Sequence, residues 1–517
     1  MRRSIGKMVV GALLADAALH APDAPAVICA GTGRTFAFAE LDARANRLAN
    51  ALLAQGFRKG DVLGFLVSNR AEIVEIYFAL ARAGIVGVPL NYRLAAPEMD
   101  ALLAAMGATG LIHEDRFAPE VARFATPRRL TVRIGAGAGP GELAYEPLLA
   151  AAPATPPAVE VEEDDPQYFN LTSGTTGLPK SYLLTQYNNA TLAPMFHAFG
   201  MSGRDVAMTV FPAFGRVGFG WIAAGLMWRI PNVLANFEAG AALDLIARHR
   251  VTIANLVPTM ASMMLAEQDR RGEGATDLSS LRGLVFAGAI LPEPVRAATE
   301  ARLCPRVYEY YGMQETGALV VSTPEDRLRA PASVGRPILF AEVRVVDEAG
   351  RDLPAGETGE ILGRSPGAAS AYFENPEKTA ETFRDGWIHT GDLGALDAAG
   401  YLHIHGRRKD MIVTGGQNVH AAEVEEVLLR APGVEDCAVF GLPDPLWGEA
   451  VTALVVGEAQ PGALEAHCRA HLAGFKVPKR FILEREALPR TPTGKVQKFL
   501  LVERFAAEAE AAGAAGG

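Results

Sequence analysis

A strand–helix–strand unit near the N-terminus constrains the fold of this chain more than any other feature. Residues 62–67 form a short, nearly uninterrupted apolar run, as in a strand that is buried on both faces of a sheet. Residues 71–82 then repeat apolar side chains at helical spacing, and 85–89 form the next apolar run. Two strands joined by one helix lie parallel in the same sheet. The same pattern returns at 253–257, 284–287, 292–302 and 307–310, which predicts a large domain of parallel α/β sheets.

The pattern changes twice further along the chain. From about Ser333, glycines and prolines separate short alternating runs such as 342–347, which is typical of antiparallel strands. After Arg407 the chain predicts a small α+β unit, with elements at 422–430, 438–440, 450–456, 464–472 and near Phe481. We therefore expect an α/β protein with an N-terminal domain at 1–406, containing an antiparallel β subdomain at about 333–405, and a small C-terminal domain at 407–517.

Composition and charge exclude several classes of protein. The net charge of −10 argues against binding to nucleic acid, which requires clustered Lys and Arg. The four cysteines are far apart and form no CxxC pair, so neither disulfides nor a zinc site is predicted. No apolar stretch approaches the ~20 residues of a membrane span, and Asp16 and His20 interrupt the apolar run near the N-terminus. We expect a cytoplasmic protein without a signal peptide or integral membrane association.

The segment 171–180, Leu-Thr-Ser-Gly-Thr-Thr-Gly-Leu-Pro-Lys, is the first candidate for chemistry. It follows a predicted strand end and combines glycines, which let phosphate approach the backbone, with hydroxyl donors and a lysine. A P-loop ATPase is excluded by spacing, because that motif requires glycine immediately before lysine, whereas Leu178 and Pro179 intervene here. The residues predicted to hold phosphate are Thr172, Ser173, Gly174, Thr175, Thr176, Gly177 and Lys180.

Further motifs follow in the chain. They are Tyr-Tyr-Gly-Met-Gln-Glu-Thr at 310–316, Trp-Ile-His-Thr-Gly-Asp-Leu at 387–393, Gly-Arg-Arg-Lys-Asp at 406–410, and Leu-Pro-Arg-Thr-Pro-Thr-Gly-Lys-Val-Gln-Lys at 488–498. With the segment 171–180 they resemble, in the same order and over nearly the whole chain, the adenylate-forming (AMP-binding) superfamily and its acyl-CoA synthetase branch. The resemblance implies a large N-terminal domain hinged to a small C-terminal one. It also implies formation of an acyl-adenylate, then transfer of the acyl group to a thiol.

The resemblance assigns the nucleotide site. Tyr311 and Gly312 would lie at adenine together with the strip that ends at Ala289, and Glu315 would bind Mg²⁺. Asp392 and Arg407 would hold the ribose. Gln314 departs from the family, which usually has Thr or Ser there, although an amide also donates to an α-phosphate.

The remaining motifs imply the reacting centre and the thiol path. Lys495 resembles the catalytic lysine of the family, and the catalytic residues are expected to be Lys495, Glu315 and Thr175. Lys409 matches the hinge position. Gly415, Gly416 and Gln417 resemble the loop beside the tunnel for the CoA arm, although His420 and Ala421 follow where the family often has Tyr-Pro. His403 and His405 alternate along a strand, and we do not expect them to bind a metal.

The acid pocket departs most from the family. Where the family usually has Pro-x-Phe-His-x-x-Gly, this chain replaces the histidine by Gly215. Gly215 either enlarges the pocket, with Phe214 as its gate, or merely allows a turn; we favour the first reading. Arg216 either meets a polar substrate group or is solvated, and we favour solvation. The expected pocket residues are Phe214, Gly215, Val217 and Ala287.

These assignments predict an AMP-forming acyl-CoA ligase that uses ATP, Mg²⁺ and CoA on a medium-chain, bulky or aromatic carboxylic acid. Three alternatives remain: a ligase that loads the phosphopantetheine thiol of a carrier protein, a luciferase-like oxygenase, and a non-catalytic nucleotide-binding protein on this fold. The oligomeric state is left open.

Overall fold

The computed structural model describes residues 6–171, 181–272, 274–289, 291–444, 446–490 and 496–514, the last of these with side chains to residue 506. The described chain forms four β-sheets with helices packed between and around them. Two sheets belong to the first three hundred or so residues, one lies in the region predicted as the antiparallel subdomain, and one is C-terminal.

The largest sheet has nine strands. Its five central pairings are parallel, and the strands at both edges are antiparallel to their neighbours. In spatial order the strands are Arg336–Pro337, Gly317–Ser322, Val307–Met313, Gly283–Phe286, Ile253–Leu256, Ala207–Thr209, Asn232–Leu234, Pro25–Cys29 and Thr35–Ala37.

The second sheet has seven strands, parallel except at one edge, where the last strand turns back on its neighbour. In spatial order they are Leu143–Ala144, Leu130–Ile134, Gly110–Glu114, Val62–Leu66, Val86–Pro89, Pro166–Leu171 and Ser181–Thr185. The helix Ala71–Ala83 connects two of these strands and is apolar nearly all round, because it is buried between the sheets.

The other two sheets are smaller. The third is antiparallel, with strands Glu342–Val346, Gly359–Arg364, Phe383–Arg384, Trp387–Leu396 and Leu402–Arg407. The fourth has strands Met411–Thr414, Gln417–His420, Val434–Asp444 and Gly448–Gly457, and the strand Arg480–Glu484 lies parallel to the last of these. Lys409 lies exposed in the 3₁₀ turn Arg408–Asp410, between the last strand of the third sheet and the first strand of the fourth. The domain boundary and the hinge role of Lys409 stay predictions.

The α-helices of the described residues connect and cover these sheets. They are Val10–His20, Phe38–Ala54, Ala71–Ala83, Ala96–Ala105, Ala118–Val121, Tyr145–Ala150, Gln186–Ala190, Arg216–Trp228, Ala239–His249, Pro258–Arg271, Glu293–Arg302, Pro324–Arg329, Pro376–Thr382, Ala421–Leu428, Pro461–His471 and Lys498–Ala514. None of them is both long and apolar enough to span a bilayer.

The predicted fold class is confirmed, and the differences lie at the ends of elements. The run 62–67 forms the strand Val62–Leu66, and 292–302 forms the helix Glu293–Arg302. The predicted strands 307–310 and 438–440 are longer in the structure, Val307–Met313 and Val434–Asp444. Both are longer because each forms a hairpin whose cross-strand pairing continues past the apolar run that marked it in the sequence.

Asn69 joins the two large sheets where their parallel strands end. It follows the strand Val62–Leu66, and its buried side-chain amide donates to Phe211 O at 2.7 Å and Ala235 O at 2.8 Å. Its Oδ1 accepts from Ala213 N at 2.7 Å, and Tyr77 Oη donates to Ala213 O at 3.0 Å. The segment that leads into the helix Arg216–Trp228 is therefore fixed by side chains of the other sheet.

We expect Asn69→Ala to lower the free energy of unfolding by about 2–3 kcal/mol, because two carbonyls and one amide remain buried without partners. Urea denaturation followed by tryptophan fluorescence measures the change. Asn50→Ala is the matched control, since that amide donates to Pro153 O and Thr155 O at an exposed site and its loss leaves both carbonyls to water. Equal losses for the two variants would contradict the joining role of Asn69.

Candidate active site

The turn between the strands Val307–Met313 and Gly317–Ser322 is the centre of the candidate site. It carries Gln314, Glu315 and Thr316, and Met313 N donates to Thr316 Oγ1 at 2.8 Å. The hairpin has a register shift after Tyr311, and a Cβ added at Gly312 would lie 2.0 Å from Gly317 O. Gly312, predicted at adenine, is thus also required by the close approach of two backbones.

The Glu315 carboxylate is buried and oriented. Its residue is 6% exposed, and Tyr372 Oη donates to Oε1 at 2.7 Å. The backbone of the turn is held as well, since Ala369 N donates to Glu315 O at 2.8 Å and Ser365 Oγ to Thr316 O at 2.6 Å. Burial raises the pKa of Tyr372, so its hydroxyl stays protonated and remains a donor.

The stems of the predicted phosphate segment lead to this turn. Leu171 pairs with Ser181 across two antiparallel strands, so residues 172–180 begin and end at one place. Asn170, immediately before this pair, donates from Nδ2 to Gln314 Oε1 at 3.0 Å and to Tyr182 Oη at 2.5 Å. The predicted phosphate ligands Thr172, Ser173, Gly174, Thr175, Thr176, Gly177 and Lys180 lie outside the described residues, but the strand that leads into their segment contacts Gln314 through Asn170.

Asp392 and Arg407 lie opposite each other in neighbouring strands. Arg407 Nε is 2.9 Å from Asp392 Oδ1, and Tyr311 Oη donates to Asp392 Oδ2 at 2.7 Å. Three residues predicted around the nucleoside, from motifs far apart in sequence, therefore meet in one hydrogen-bonded group. Burial first, and then the charge of Asp392, raise the pKa of Tyr311 well above its usual value, which keeps the hydroxyl a donor.

The arrangement fits Mg²⁺ and a ribose. Glu315 offers a carboxylate oxygen, the ligand that Mg²⁺ prefers, and no hydrogen bond to its Oε2 is seen within the described residues. Asp392 uses one lone pair of each oxygen, so each oxygen can still accept from a ribose hydroxyl. A buried carboxylate near a triphosphate requires a cation between the two negative charges.

The predicted acid pocket lies at the start of the helix Arg216–Trp228. Gly215 precedes the helix with φ −92° and ψ 158°, values open to any residue, and a Cβ there would meet only Pro212 O at 3.4 Å. The backbone therefore does not require glycine, so the need for a turn does not explain why glycine occurs at position 215. Phe214 is half-buried and meets the edge of Tyr92 at 5.1 Å between ring centroids.

A wall of aromatic rings lies behind Val217. Val217 packs against a buried cluster that includes Phe196, Phe199 and Trp221, and the partly buried Tyr310 packs against the same cluster. Phe196 and Trp221 are 5.1 Å apart and Phe196 and Phe199 5.7 Å apart, between ring centroids. The rings pack edge to face, and we expect them to bound the predicted acid pocket on this side.

The expectation that Arg216 is solvated is wrong. The residue is 4% exposed, and its guanidinium donates to Gln314 O at 2.5 Å and to Gly367 O. An arginine is usually exposed, but here the helix begins at Arg216 and its first turn packs inward against the turn that carries Glu315. Tertiary packing therefore determines the burial of Arg216, and local composition gives no information about that packing.

The glycine-containing strip 287–289 follows the strand Gly283–Phe286 at the edge where the parallel strands end. Ala287 is buried, whereas Ala289 is exposed. The same edge carries the end of Val307–Met313 and hence Tyr311, since the two strands are parallel neighbours. Ligands bind at this edge in open α/β sheets.

The loop predicted beside the thiol path is a hairpin turn. Gly415 and Gly416 connect Met411–Thr414 to Gln417–His420, both with positive φ (56° and 76°), as a tight two-residue hairpin turn requires. Gly415 N donates to Trp447 O at 2.7 Å, and a cavity of about 200 Å³ lies between Thr414, Trp447, Phe475 and Lys479. Gln417 is exposed. The roles in CoA binding stay predictions.

Lys495 lies outside the described residues, but its loop is closed by residues that the structure describes. Arg490 and Val496 pair across the loop, and Gln497 N donates to Pro489 O at 2.8 Å. Lys498 Nζ lies 2.7 Å from the half-buried Glu425, and Arg490 lies 2.6 Å from Asp436. The loop is therefore anchored to the C-terminal unit on both sides.

The structure adds site residues that sequence reasoning missed. Asn170, Tyr372 and Asn69 each orient a residue or segment of the site through a side-chain hydrogen bond across more than fifty positions. Asn170 lies beside the predicted phosphate segment, and this position could have identified it as a site residue. Tyr372 and Asn69 lie in segments whose local sequence gives no sign of the site.

Comparison with known proteins identifies the family. The model for AMP-binding enzymes matches residues 14–373, and the model for the AMP-binding enzyme C-terminal domain matches residues 423–495. This chain belongs to the AMP-binding enzyme family.

Within the family, the similar proteins include ligases for several acids. A feruloyl-CoA synthase from Amycolatopsis sp is 38% identical over 499 residues, covering 94% of this chain and 96% of that protein. The fatty acid–[acyl-carrier-protein] ligase ScoC from Streptomyces coeruleorubidus is 35% identical over 505 residues, covering 94% and 95%. A crystal structure of the anthranilate CoA ligase AuaEII in complex with anthranoyl-AMP has a TM-score of 0.89 and 30% identity, covering 98% of each chain.

These findings confirm the adenylate-forming, acyl-CoA synthetase branch that the motifs predict. The enzyme class, an AMP-forming acid–thiol ligase, is confirmed with it, as are the cofactors of the branch, ATP, Mg²⁺ and CoA. The third sheet carries Asp392 and Arg407, and the stems of the Lys495 loop pack against the fourth sheet, so both sheets belong to an AMP-binding enzyme.

Two histidines pack between the third sheet and the C-terminal unit of this AMP-binding enzyme. His405 and His420 have ring centroids 5.9 Å apart, and Thr358 Oγ1 lies 2.9 Å from His405 Nδ1. Burial lowers the pKa of both imidazoles; Lys476 lowers each further, whereas Glu423 raises each. His403, which also lowers the pKa of His405, lies 3.2 Å from Asp397, and no metal-binding cluster is found among the described residues.

We expect this packing to loosen as the pH falls below about 6.5, the usual pKa of histidine. Because the packed state has the lower pKa, it binds fewer protons than the separated state, so acid favours separation. Hydrogen exchange of the strand Leu402–Arg407, corrected for the intrinsic rate, should accelerate between about pH 7.5 and pH 5.5. His420→Phe should reduce this effect and the exposed control His20→Asn should not. An unchanged acid response in His420→Phe would contradict the role of the pair.

Proposed function

We propose that this enzyme activates a compact bulky or aromatic carboxylic acid with ATP and transfers the acyl group to CoA. The observation that carries the proposal is the meeting of Glu315, Gln314 and the stems of segment 172–180 beside the Asp392–Tyr311–Arg407 group. The residues that we propose for phosphate, metal and nucleoside binding thereby adjoin one turn, which Arg216 connects to the start of the proposed acid-binding helix.

Each residue then has a defined task. Segment 172–180 would hold the β- and γ-phosphates, and Glu315, oriented by Tyr372, would hold the Mg²⁺ that offsets their charge. Asp392 and Arg407 would fix the ribose. Gln314 accepts at Oε1 from Asn170, so its amide nitrogen is left to donate to the α-phosphate.

Lys495 would complete the reacting centre. A cation brought to the carboxylate and the α-phosphate lowers the energy of the crowded negative charge in the transition state. Its loop is anchored through Lys498 and Arg490, so the C-terminal unit would carry the lysine toward or away from the site as it moves about Lys409.

The shape of the pocket supports a compact acid. The aromatic wall behind Val217 would limit the depth available to a long chain, whereas the missing side chain at Gly215 would add width near the carboxylate. Similarity to a feruloyl-CoA synthase and an anthranilate CoA ligase supports aromatic acids as the first class to examine. Similarity to ScoC keeps transfer to a carrier protein as the second candidate.

The function is tested with purified enzyme, Mg²⁺·ATP and a panel of aromatic, branched and linear acids. We expect acid-dependent release of pyrophosphate and, once CoA is added, a thioester detected by mass spectrometry. Lys495→Ala should slow pyrophosphate release by about 10²–10³-fold. If a thioester formed on a phosphopantetheinylated carrier protein but not on CoA, the carrier protein would replace CoA as the proposed acceptor. Absence of any acid-dependent pyrophosphate release would overturn the proposed activity.

The width of the pocket is tested at Gly215. Gly215→Phe should lower kcat/KM for a benzoate- or cinnamate-type acid about 10-fold or more relative to its effect on propionate, because the new ring fills the space of the bulky acid. Gly215→Ala is the control and should change either value only slightly, since the Cβ has room. Equal losses on both acids in Gly215→Phe would refute the pocket assignment.

A further inference from the structure

Arg216 is a buried cation without a carboxylate partner among the described residues. Two of its nitrogens donate to the backbone carbonyls of Gln314 and Gly367, and its Nε is buried without any hydrogen-bond partner in the described chain. Burying a guanidinium without a counter-ion is unfavourable, because the charge loses its hydration. The arrangement therefore does not maximise stability.

The two carbonyls place Arg216 between the parts of the proposed site. Gln314 lies immediately before Glu315, and Gly367 belongs to the segment from Ser365 to Ala369 that holds the same turn. Arg216 itself is the first residue of the helix that follows Gly215. One side chain thus joins the acid-binding helix to both halves of the support around Glu315.

The surroundings are shaped to accept this guanidinium. A Cβ on Gly367 would lie 3.2 Å from an Arg216 terminal nitrogen, and one on Gly317 would lie 3.7 Å from its guanidinium carbon. Glycines therefore line the space that the planar guanidinium of Arg216 occupies. The planar fork of arginine reaches two acceptors at a fixed separation, which a lysine ammonium does not.

Direct contact between Arg216 and the acid does not fit this geometry. The residue is 4% exposed, and both terminal nitrogens are already used by carbonyls. Its effect on the reaction must then pass through the turn it holds.

We propose that Arg216 is a positioning residue for adenylation, which fixes the Glu315 turn against the acid-binding helix and so sets where Mg²⁺ lies relative to the acid. The proposal rests on the proposed function for the acid, but its metal-binding part does not require the acid to be known. Groups that orient a metal ligand typically change metal affinity or activity by about 10- to 100-fold when they are removed.

The test compares Arg216→Met, Arg216→Lys and wild type in two measurements. The first is Mg²⁺-dependent binding of a non-hydrolysable ATP analogue by calorimetry, without acid. The second is acid-dependent pyrophosphate release, with kcat and KM for the acid and for Mg²⁺ determined separately. Arg82→Lys is the matched control, since that arginine is also largely buried and donates to the backbone carbonyls of Asp42 and Gly11, between helices away from the site.

We expect Arg216→Met to raise the Mg²⁺ concentration for half-maximal binding and rate about 10-fold or more, and to lower kcat, with the KM for the acid nearly unchanged. Arg216→Lys should recover part of the loss, and Arg82→Lys should behave as wild type in both measurements. A rise confined to the KM for the acid would show direct contact and overturn the proposal. So would a loss of thermal stability with unchanged kcat and Mg²⁺ dependence in the folded fraction.

If the wild type binds the ATP analogue with Mg²⁺ but releases no pyrophosphate with any acid, the proposed function fails on its own. The calorimetric comparison then still decides whether Arg216 orients the metal turn. Unchanged Mg²⁺ dependence of binding in Arg216→Met would reject that role whatever the acid is.

Discussion

The site depends on one short turn being held rigidly in a buried position. Gln314, Glu315 and Thr316 join two strands at the edge of the nine-stranded sheet, and their carbonyl oxygens accept from Arg216, Ala369 and Ser365 in that order. A carboxylate in such a place is unfavourable unless its surroundings compensate it. Tyr372 supplies one hydrogen bond, and the Mg²⁺ that we propose at Glu315 would be the second partner.

The same turn explains why residues from distant motifs belong together. Asn170 brings the stems of the phosphate segment to Gln314, and Tyr311, two residues before Met313, reaches Asp392 in the third sheet. Backbone carbonyls and side chains therefore perform different work. The carbonyls fix the position of the turn, while the side chains that project from it are the ones we propose to contact the nucleotide and the metal.

Much of this could be predicted from sequence, and what could not be has a physical reason. Continuous apolar runs marked buried parallel strands such as Val62–Leu66, because burial on both faces leaves a local signal. Motif residues such as Asp392 and Arg407 were identified because their spacing and order are specific, and the structure places them in one pair. The exposure of Arg216 was predicted wrongly, because the carbonyls that accept its hydrogen bonds lie 98 and 151 positions away in the sequence. Nothing in the residues next to Arg216 indicates those partners. Tyr372 escaped notice for the same reason.

The backbone at Gly215 has a consequence for how such an enzyme changes over time. Its dihedral angles suit all amino acids, and the space around its α-carbon is open. Side-chain size at this position is therefore uncoupled from folding, in contrast to Gly312, where a neighbouring carbonyl excludes any larger residue. At the acid pocket that we propose, single substitutions of this residue would change the range of accepted acids without requiring stabilising changes elsewhere.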